Sequence, residues 1–208
     1  MALASQGTIL KMGKAVAGSA LTTVAVEEGY PSVFTKADHG LTAGRKVTCS
    51  AFSNVKLDGL SAVVQFVTDD TFALALDTTG ETIAGTGTVT PETYWTIGEV
   101  IDCDRAAGDR TEIDTTHLTS TSKEYLMGLR DGGTFTFSVN FLFDDDGQTA
   151  VREAEASDDS FHWIAEYPSG DTCSFDGFVK GFSGPTAGVD GKLDGSVNVK
   201  ITGDVVFA

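Results

Sequence analysis

The chain has 208 residues, with 24 glycines, four prolines, a formal net charge of −16 and a pI near 4.3. Frequent glycine and many short runs of Val, Thr and Phe favour an all-β architecture, in one large domain or two smaller ones. The acidic balance argues against a protein that holds nucleic acid, because such proteins usually carry a basic patch.

The three cysteines, Cys49, Cys103 and Cys173, have no Cys-x-x-Cys spacing, so neither a disulfide framework nor a structural zinc site is indicated. A reduced intracellular compartment is the plain interpretation. No segment approaches the ~20 apolar residues of a membrane span, and the stretch after Lys14 is too rich in Gly, Ser and Thr for a typical signal peptide. We therefore expect no membrane partner.

Residues 1–21 are predicted to form an N-terminal arm with one short strand at 8–12, between Gly7 and Gly13. The arm contains Lys11 and Lys14 and no acidic residue. A basic end of this kind is expected to be attracted to an acidic neighbouring surface, such as another copy of the chain.

Residues 22–93 have the pattern of a separate small β-barrel module. Predicted strands lie at 33–36, 46–52, 62–68, 71–76 and 86–90, and turn signals separate them at close intervals. Phe72, Leu74 and Leu76 alternate with smaller residues, which predicts a tight hairpin between the third and fourth of these strands. Pro91 is expected to end the module.

The next predicted strand, at 94–103, leads into a polar stretch at 104–132 that is too long for an ordinary hairpin loop. Long loops in compact domains commonly bind ligands or form interfaces.

Two periodicities meet between residues 133 and 156. Phe135, Phe137, Val139 and Phe141 alternate with short polar residues, which predicts a half-buried strand with an aromatic face. The sequence Asp-Asp-Asp-Gly at 144–147 then leads into TAVREAEA, a short predicted helix. We interpret the acidic cluster as a helix cap and not a calcium loop, because the first ligand position of such a loop would fall on Leu142.

Further strands are predicted at 161–167, 172–182 and 192–207, with turns at 168–171 and around Val189, Asp190 and Gly191. The last strand repeats the alternation of apolar and small polar residues. The whole pattern predicts an all-β chain: a β-sandwich or open barrel with one short α-helix, carrying an inserted small β-barrel. The predicted units are 1–21 (arm and first strand), 22–93 (module) and 94–208 (sandwich).

The sequence gives little support to an enzyme, a cofactor or a metal site. GFSGP at 181–185 lacks the final glycine of a nucleophile elbow, so Ser183 is interpreted as a turn residue. His39, His117 and His162 do not pair with another His or Cys at metal-ligand spacing. We predict no catalytic residue, no cofactor and no metal.

Several segments match one known family in their order and type. They are GTILKMG at 7–13, TIGEVIDCD at 96–104, GDRTEIDTTHLTSTSKEYLMGLRDGG at 108–133, FTFSVNF at 135–141, the helix after DDDG, and FDGFVKGFSGPTAGVDGKLDGSVNVKITGDVVF at 175–207. Together they resemble the major tail (tail-tube) proteins of long-tailed bacteriophages of the lambda-like type. Residues 22–93 depart from that pattern and resemble small β modules inserted in phage structural proteins.

The resemblance implies a structural virion protein of the phage tail, assembled in the cytoplasm of the host bacterium. It implies homohexameric rings that stack into a tube, with the sheets of all subunits forming one lumen through which DNA passes without specific binding. The implied partners are other copies of the chain, a tape-measure protein and a tail-terminator protein.

Two sets of residues are the candidate sites. The first is the polar side of two predicted strands, which would face the lumen and would otherwise be an ordinary solvent face: Thr134, Thr136, Ser138, Asn140, Ser196, Asn198, Lys200 and Thr202. The second would contact a neighbouring ring and comes from the arm and the long loop: Lys11, Lys14, Asp109, Arg110, Glu112 and His117.

Two alternatives remain open from sequence. A capsid decoration or tail-terminator protein would also be acidic and rich in β-strands. A carbohydrate-binding β-sandwich is the other, although glycan sites usually display exposed aromatics and Trp95 and Trp163 both fall in predicted strands.

Overall fold

The computed structural model describes residues 6–186 and 191–208, and this part of the chain contains fourteen strands and one helix. The strands are β1 (Ile9–Ala17), β2 (Leu21–Glu27), β3 (Ser32–Thr35), β4 (Lys46–Ser50), β5 (Ser61–Val67), β6 (Thr71–Leu74), β7 (Gly87–Thr96), β8 (Val100–Ala106), β9 (Arg110–Asp114), β10 (Tyr125–Arg130), β11 (Thr134–Asn140), β12 (Phe161–Glu166), β13 (Thr172–Thr186) and β14 (Asp194–Phe207); the helix, α1, spans Asp146–Glu155. The all-β prediction with one short helix is confirmed.

Six strands form a small closed barrel. They are hydrogen-bonded in the order β2, β3, β6, β5, β4 and β7, and β7 pairs back with β2. Phe34 and Phe72 stack inside with ring centroids 5.1 Å apart, and Val24, Leu57 and Leu74 are fully buried beside them. Closure removes the free strand edges that an open sheet of this size would expose.

Strand β7 links the barrel to the rest of the chain: its pairing with the barrel strands reaches Pro91, and the strand continues beyond it without a break. Val89 pairs with β2 on one side, whereas Glu92 pairs with Ala17 of β1. Pro91 lies inside β7, at the point where the neighbouring strand changes from β2 to β1. A proline removes one ladder donor, and that loss is tolerated at a change of partner; the Pro91 carbonyl still accepts a hydrogen bond from the Gly18 N–H at 2.7 Å.

The remaining strands continue from β7 in the order β1, β12, β13, β14, β11 and β8. This sheet curls into two layers. Phe137 of β11 and Trp163 of β12 have ring centroids 5.9 Å apart, whereas three strand spacings in a flat sheet would separate them by about 14 Å. Layer A contains β8, β11, residues 194–200 of β14 and residues 178–186 of β13; layer B contains residues 92–96 of β7, β1, β12, residues 172–177 of β13 and residues 201–207 of β14.

The core between the layers is aromatic, as the alternation around Phe135 predicts. Phe135, Phe137, Trp163 and Phe175 are buried there, and the helix α1 adds Ala150, Val151 and Ala154. Truncating one such aromatic to Ala typically costs about 3–5 kcal/mol of unfolding free energy, so these rings hold the layers together.

The acidic cluster before α1 is a helix cap, as predicted. The Asp145 carboxylate accepts hydrogen bonds from the N–H groups of Gln148 at 2.7 Å and Gly98 at 3.3 Å. Gln148 is itself buried and donates to the carbonyls of Gly98 and Asn140 at 3.0 and 2.9 Å. The cap therefore also fixes the turn between β7 and β8 against the end of β11.

Several predicted elements differ from the structure. The strand expected at 94–103 is broken after Thr96, because Glu99 adopts a φ of 56° and turns the chain into β8. The loop expected at 104–132 contains the end of β8 and the hairpin β9–β10. Strand β2 was not predicted, and Ser183 lies in β13 opposite Ser196 and not in a turn. The turn predicted at Val189 and Asp190 lies outside the described residues.

Candidate functional site

The polar side of layer A brings seven of the eight lumen candidates onto one surface; the eighth, Thr202, pairs with Asp176 of β13 and belongs to layer B. Register places Thr136 between Asp104 of β8 and Asn198 of β14, and Ser138 between Asp102 and Ser196. The core-facing residues of the same strands, such as Val197 and Val199, are fully buried on the opposite side. We call this surface the polar face of layer A.

The sequence prediction missed the acidic part of this face. Asp102 and Asp104 lie on β8 beside Ser138 and Thr136 and are exposed. Asp102 and Asp104 alternate with Cys103 and Arg105, a pattern that places both carboxylates on one side of a strand. Burial, reinforced by the charges of Asp102 and Asp104, raises the pKa of the Cys103 thiol, which points to the inner side of the strand.

Two lysines on the polar face are paired with carboxylates, and a third, Lys180 of β13, is exposed. Lys200 Nζ binds Asp131, and the hydrogen bond from Lys200, followed by that from the Gly133 N–H, lowers the pKa of Asp131. Lys192 Nζ lies 3.4 Å from Asp194 Oδ1. Five acidic residues and three lysines lie on or beside this face, which gives a net charge of −2: Glu99, Asp102, Asp104, Asp131, Asp194, Lys180, Lys192 and Lys200.

Layer A has an unpaired strand at each side. Among the described strands, β8 pairs with β11 alone, so its other edge is free. On the far side, the pairing of β13 with β12 ends where Gly177 meets Phe161, so residues 178–186 of β13 have no strand partner on that edge within the described chain; the Phe182 N–H there donates to Glu155 Oε1 of α1 at 3.0 Å. Free edges of this kind are templates for pairing with another chain.

The hairpin β9–β10 projects from the end of layer A where β8 stops and β11 begins. It carries the predicted contact residues Asp109, Arg110, Glu112 and His117 on exposed positions. Six of its larger apolar side chains are at least 48% exposed: Ile113, Leu118, Tyr125, Leu126, Met127 and Leu129. Arg110 lies directly opposite Arg130, a pairing of like charges that weakens an isolated hairpin.

The other two predicted contact residues lie elsewhere, on β1 in layer B. Lys11 Nζ forms an ion pair with Glu166 at 2.6 Å, and both side chains are largely covered. Lys14 Nζ lies 5.1 Å from the centre of the Trp95 ring. The structure therefore does not bring these lysines together with the hairpin residues.

The outer side of layer B is covered by the barrel. His162 Nε2 lies 2.9 Å from the Gly44 carbonyl oxygen, and Lys46 Nζ lies 2.9 Å from Asp176 Oδ2. His162 Nδ1 lies 2.7 Å from Asp176 Oδ1. Burial alone would raise the pKa of Asp176, but the hydrogen bonds from His162 and Lys46 outweigh it and lower that pKa.

We call this contact between the barrel and layer B the seam, and it leaves no room for a side chain at Gly44. A Cβ atom on Gly44, whose φ is +81°, would lie 2.6 Å from Thr172 Oγ1 and 3.4 Å from Ile164 Cγ2. Tyr94 also belongs to the seam: its hydroxyl accepts a hydrogen bond from the Lys46 N–H at 2.9 Å, and burial raises its pKa. The barrel is therefore anchored on the side of the molecule opposite the polar face of layer A.

Among residues 6–186 and 191–208, no three His, Cys, Asp or Glu side chains are grouped as metal ligands. The same residues include no helix with the length and apolar character needed to cross a membrane.

A family model described as lambda phage tail tube protein matches residues 76–208, well over half of the chain. The match begins at the end of the barrel and includes layer A, the hairpin and α1. A search of curated proteins gave no match.

Proposed function

Because this chain belongs to the lambda phage tail tube protein family, we propose that it forms homohexameric rings that stack into the tail tube, the conduit through which DNA leaves the virion. As a structural protein of the phage tail, it acts by assembly and not by catalysis. The observation that carries the proposal is layer A: one four-stranded sheet with a polar face and a free edge on each side.

The two free edges suit each other in direction. Strands β13, β14, β11 and β8 alternate in direction across layer A, because each neighbouring pair is antiparallel. Rotation about a ring axis preserves strand direction, so β8 of one copy would run antiparallel to β13 of the next. Such a head-to-tail contact is heterologous and closes into a ring.

Six copies would contribute 24 strands to one barrel, four from each copy. At a spacing of ~4.8 Å and a tilt of about 40°, that barrel would measure roughly 45–50 Å between opposite backbones. Natural barrels with fewer strands than this already hold a water-filled channel. The polar face of layer A would then line the lumen.

The chemistry of the lumen candidates suits a channel that DNA must cross without sticking. Thr134, Thr136, Ser138 and Asn198 are short and uncharged, and Lys200 is neutralised by Asp131. The excess of acid on this face would repel phosphate, whereas unpaired lysines would bind it.

The barrel and the hairpin have different proposed positions. We assign residues 22–93 to an inserted module outside the tube, because the barrel is anchored on layer B, away from the polar face. The hairpin, together with the β1 lysines Lys11 and Lys14, is assigned to contacts between rings. A tape-measure protein inside the lumen and a tail-terminator protein at the tube end would be the other partners, with assembly in the host cytoplasm.

Negative-stain microscopy of the concentrated protein tests the proposal. The wild type should form long tubes of uniform diameter, whereas a terminator or decoration protein would stop at single rings or remain dispersed. The triple variant Asp109→Ala, Arg110→Ala and Glu112→Ala should fold as a monomer, since all three residues are exposed. It should not form tubes. Normal tubes from this variant would contradict the assignment of the hairpin to ring contacts.

A further inference from the structure

Among the described residues, the hairpin β9–β10 is joined to β14 by the exposed ion pair between Arg130 and Asp204, 3.8 Å apart, while most of its larger apolar side chains remain exposed. A two-stranded hairpin is at best marginally stable in water without packing. This one exposes apolar residues along both strands, and Leu118 at its tip is completely exposed, with a relative accessibility of 106%. These exposed side chains therefore indicate that the hairpin packs against an apolar surface on another molecule.

A second exposed apolar surface lies at the opposite end of layer A. We call it the end patch, and it consists of Leu142, Phe143 and Leu193, which are 42%, 64% and 37% exposed. Leu142 and Phe143 follow the last residue of β11, and Leu193 precedes the first residue of β14.

The end patch stands on a fixed base. The ring of Phe141 lies 4.9 Å from that of Phe143 and 5.8 Å from that of Phe182. The Phe141 N–H donates to the Leu193 carbonyl at 2.8 Å, and the Arg152 guanidinium lies 5.2 Å from the Phe141 ring centre. The exposed side chains are thus held on a packed aromatic cluster, which is the usual form of a docking surface.

We propose that the tip of the hairpin, through Leu118, docks on the end patch of a second copy in the next ring. This inference rests on the proposed stacking of rings and names the surface that receives the hairpin. The hairpin and the end patch lie at opposite ends of the β8–β11 strand pair. Ala106 pairs with Thr134 at the hairpin end, and Val100 pairs with Val139 near the end patch.

This arrangement favours a second copy as the partner. An apolar projection at one end of a subunit and an apolar receptor at the other generate a head-to-tail contact that repeats without closing. From Arg110 to the tip the hairpin has about eight residues, which span roughly 26 Å at ~3.3 Å per residue. Because the hairpin begins where β8 stops and β11 starts, this length lies beyond the end of its own layer A, so the tip can reach the facing end of a copy in the next ring.

Single substitutions with a matched control test the contact. Phe143→Ser and Leu118→Ser should each raise the critical concentration for tube formation by about tenfold, since a lost apolar contact of this size changes affinity by that factor. Phe66→Ser is the control for Phe143→Ser, because Phe66 is 65% exposed on the barrel. All three monomers should keep the wild-type circular dichroism spectrum. Wild-type tube formation by Phe143→Ser would overturn the proposal.

A cysteine pair separates this proposal from the stacking of rings. Leu118→Cys combined with Phe143→Cys, treated with a short bismaleimide, should give a ladder of covalent oligomers on a denaturing gel. Leu118→Cys combined with Val55→Cys should not, since Val55 is 89% exposed on the barrel. Tubes without a ladder would overturn the end patch as receptor while the proposed function stands, whereas a wild type that forms no tubes would overturn the proposed function itself.

Discussion

The outer surfaces of layers A and B come from one continuous sheet with one alternating pattern, yet they have opposite environments. On layer A, Ser138 and Asn198 remain partly open to solvent. On layer B, His162 and Ser174 are equally polar but are 3% and 0% exposed, because the barrel covers them. A polar residue in a period-two pattern therefore marks the outer side of a strand, not a solvent-exposed side.

The two surfaces also differ in how charge is arranged. The Asp176 carboxylate on layer B is hydrogen-bonded to two side chains on different strands, His162 of β12 and Lys46 of β4. Asp102 and Asp104 on layer A remain exposed and lie beside hydroxyl side chains. The first arrangement fixes one part of the chain on another, and the second leaves an exposed surface with a net negative charge.

Substitution at Gly44 should have the largest effect, because it separates the barrel from layer B. Gly44→Ala introduces a Cβ 2.6 Å from Thr172 Oγ1 at a φ of +81°. Backbone strain of about 1–2 kcal/mol and a steric cost of about 1–3 kcal/mol should together lower the free energy of unfolding by about 2–5 kcal/mol. Chemical denaturation of the purified monomer measures this loss.

Gly59→Ala supplies the control for strain alone. Gly59 has almost the same φ, +80°, but a Cβ there would have no atom within 4 Å. It should therefore cost only about 1–2 kcal/mol. Equal losses for the two variants would show that the contact between Gly44 and Thr172 does not hold the barrel on layer B.

A smaller effect is expected from Asp176→Asn, and it should depend on pH. Burial would raise the folded-state pKa of Asp176, but the hydrogen bonds from His162 and Lys46 outweigh it and hold that pKa below the ordinary aspartate value, so its contribution to stability is present above the ordinary value and is lost as the pH falls through the folded pKa. We expect a loss of about 1 kcal/mol at pH 7, since solvent screens a pair of this exposure. The difference between wild type and variant should shrink toward zero in acid.

Asp194→Asn is the matched change on layer A. The Lys192–Asp194 pair is longer, at 3.4 Å, and more exposed than the Lys46–Asp176 pair. Its loss should change the free energy of unfolding by less than about 0.5 kcal/mol. A larger loss from Asp194→Asn than from Asp176→Asn at pH 7 would reverse the distinction between the two surfaces.

The sequence predicts the features of this molecule that depend on neighbouring residues, and it does not predict those that depend on contacts between residues far apart in the chain. The alternation around Phe135 and the cap at Asp145 are encoded within a few neighbouring residues, so β11 and α1 were predicted. His162 was not assigned a role, because its partner Gly44 is 118 residues away in the chain.

The acidic strand and the hairpin were missed for different reasons. Glu99 makes its turn at a positive φ without being a glycine, which hid the start of β8 and with it the placement of Asp102 and Asp104. The strands β9 and β10 bury almost none of their side chains in the isolated chain, so no amphipathic pattern marks them. Residues selected for contacts in an assembly do not follow the pattern of a monomer's core.

The smallest effect on stability should come from reversing charge on the polar face of layer A. Asp102→Lys combined with Asp104→Lys should change the free energy of unfolding by no more than about 0.5 kcal/mol, because both side chains are exposed. Glu27→Lys combined with Glu28→Lys makes the same charge change on exposed positions of the barrel. If the polar face lines the lumen, phage carrying the first pair should release DNA more slowly, by about tenfold at low salt, with recovery as salt screens the phosphate contacts. The barrel pair should release DNA at the wild-type rate. Equal release from both variants would mean that DNA does not pass along layer A, and the polar face would then be an ordinary solvent surface.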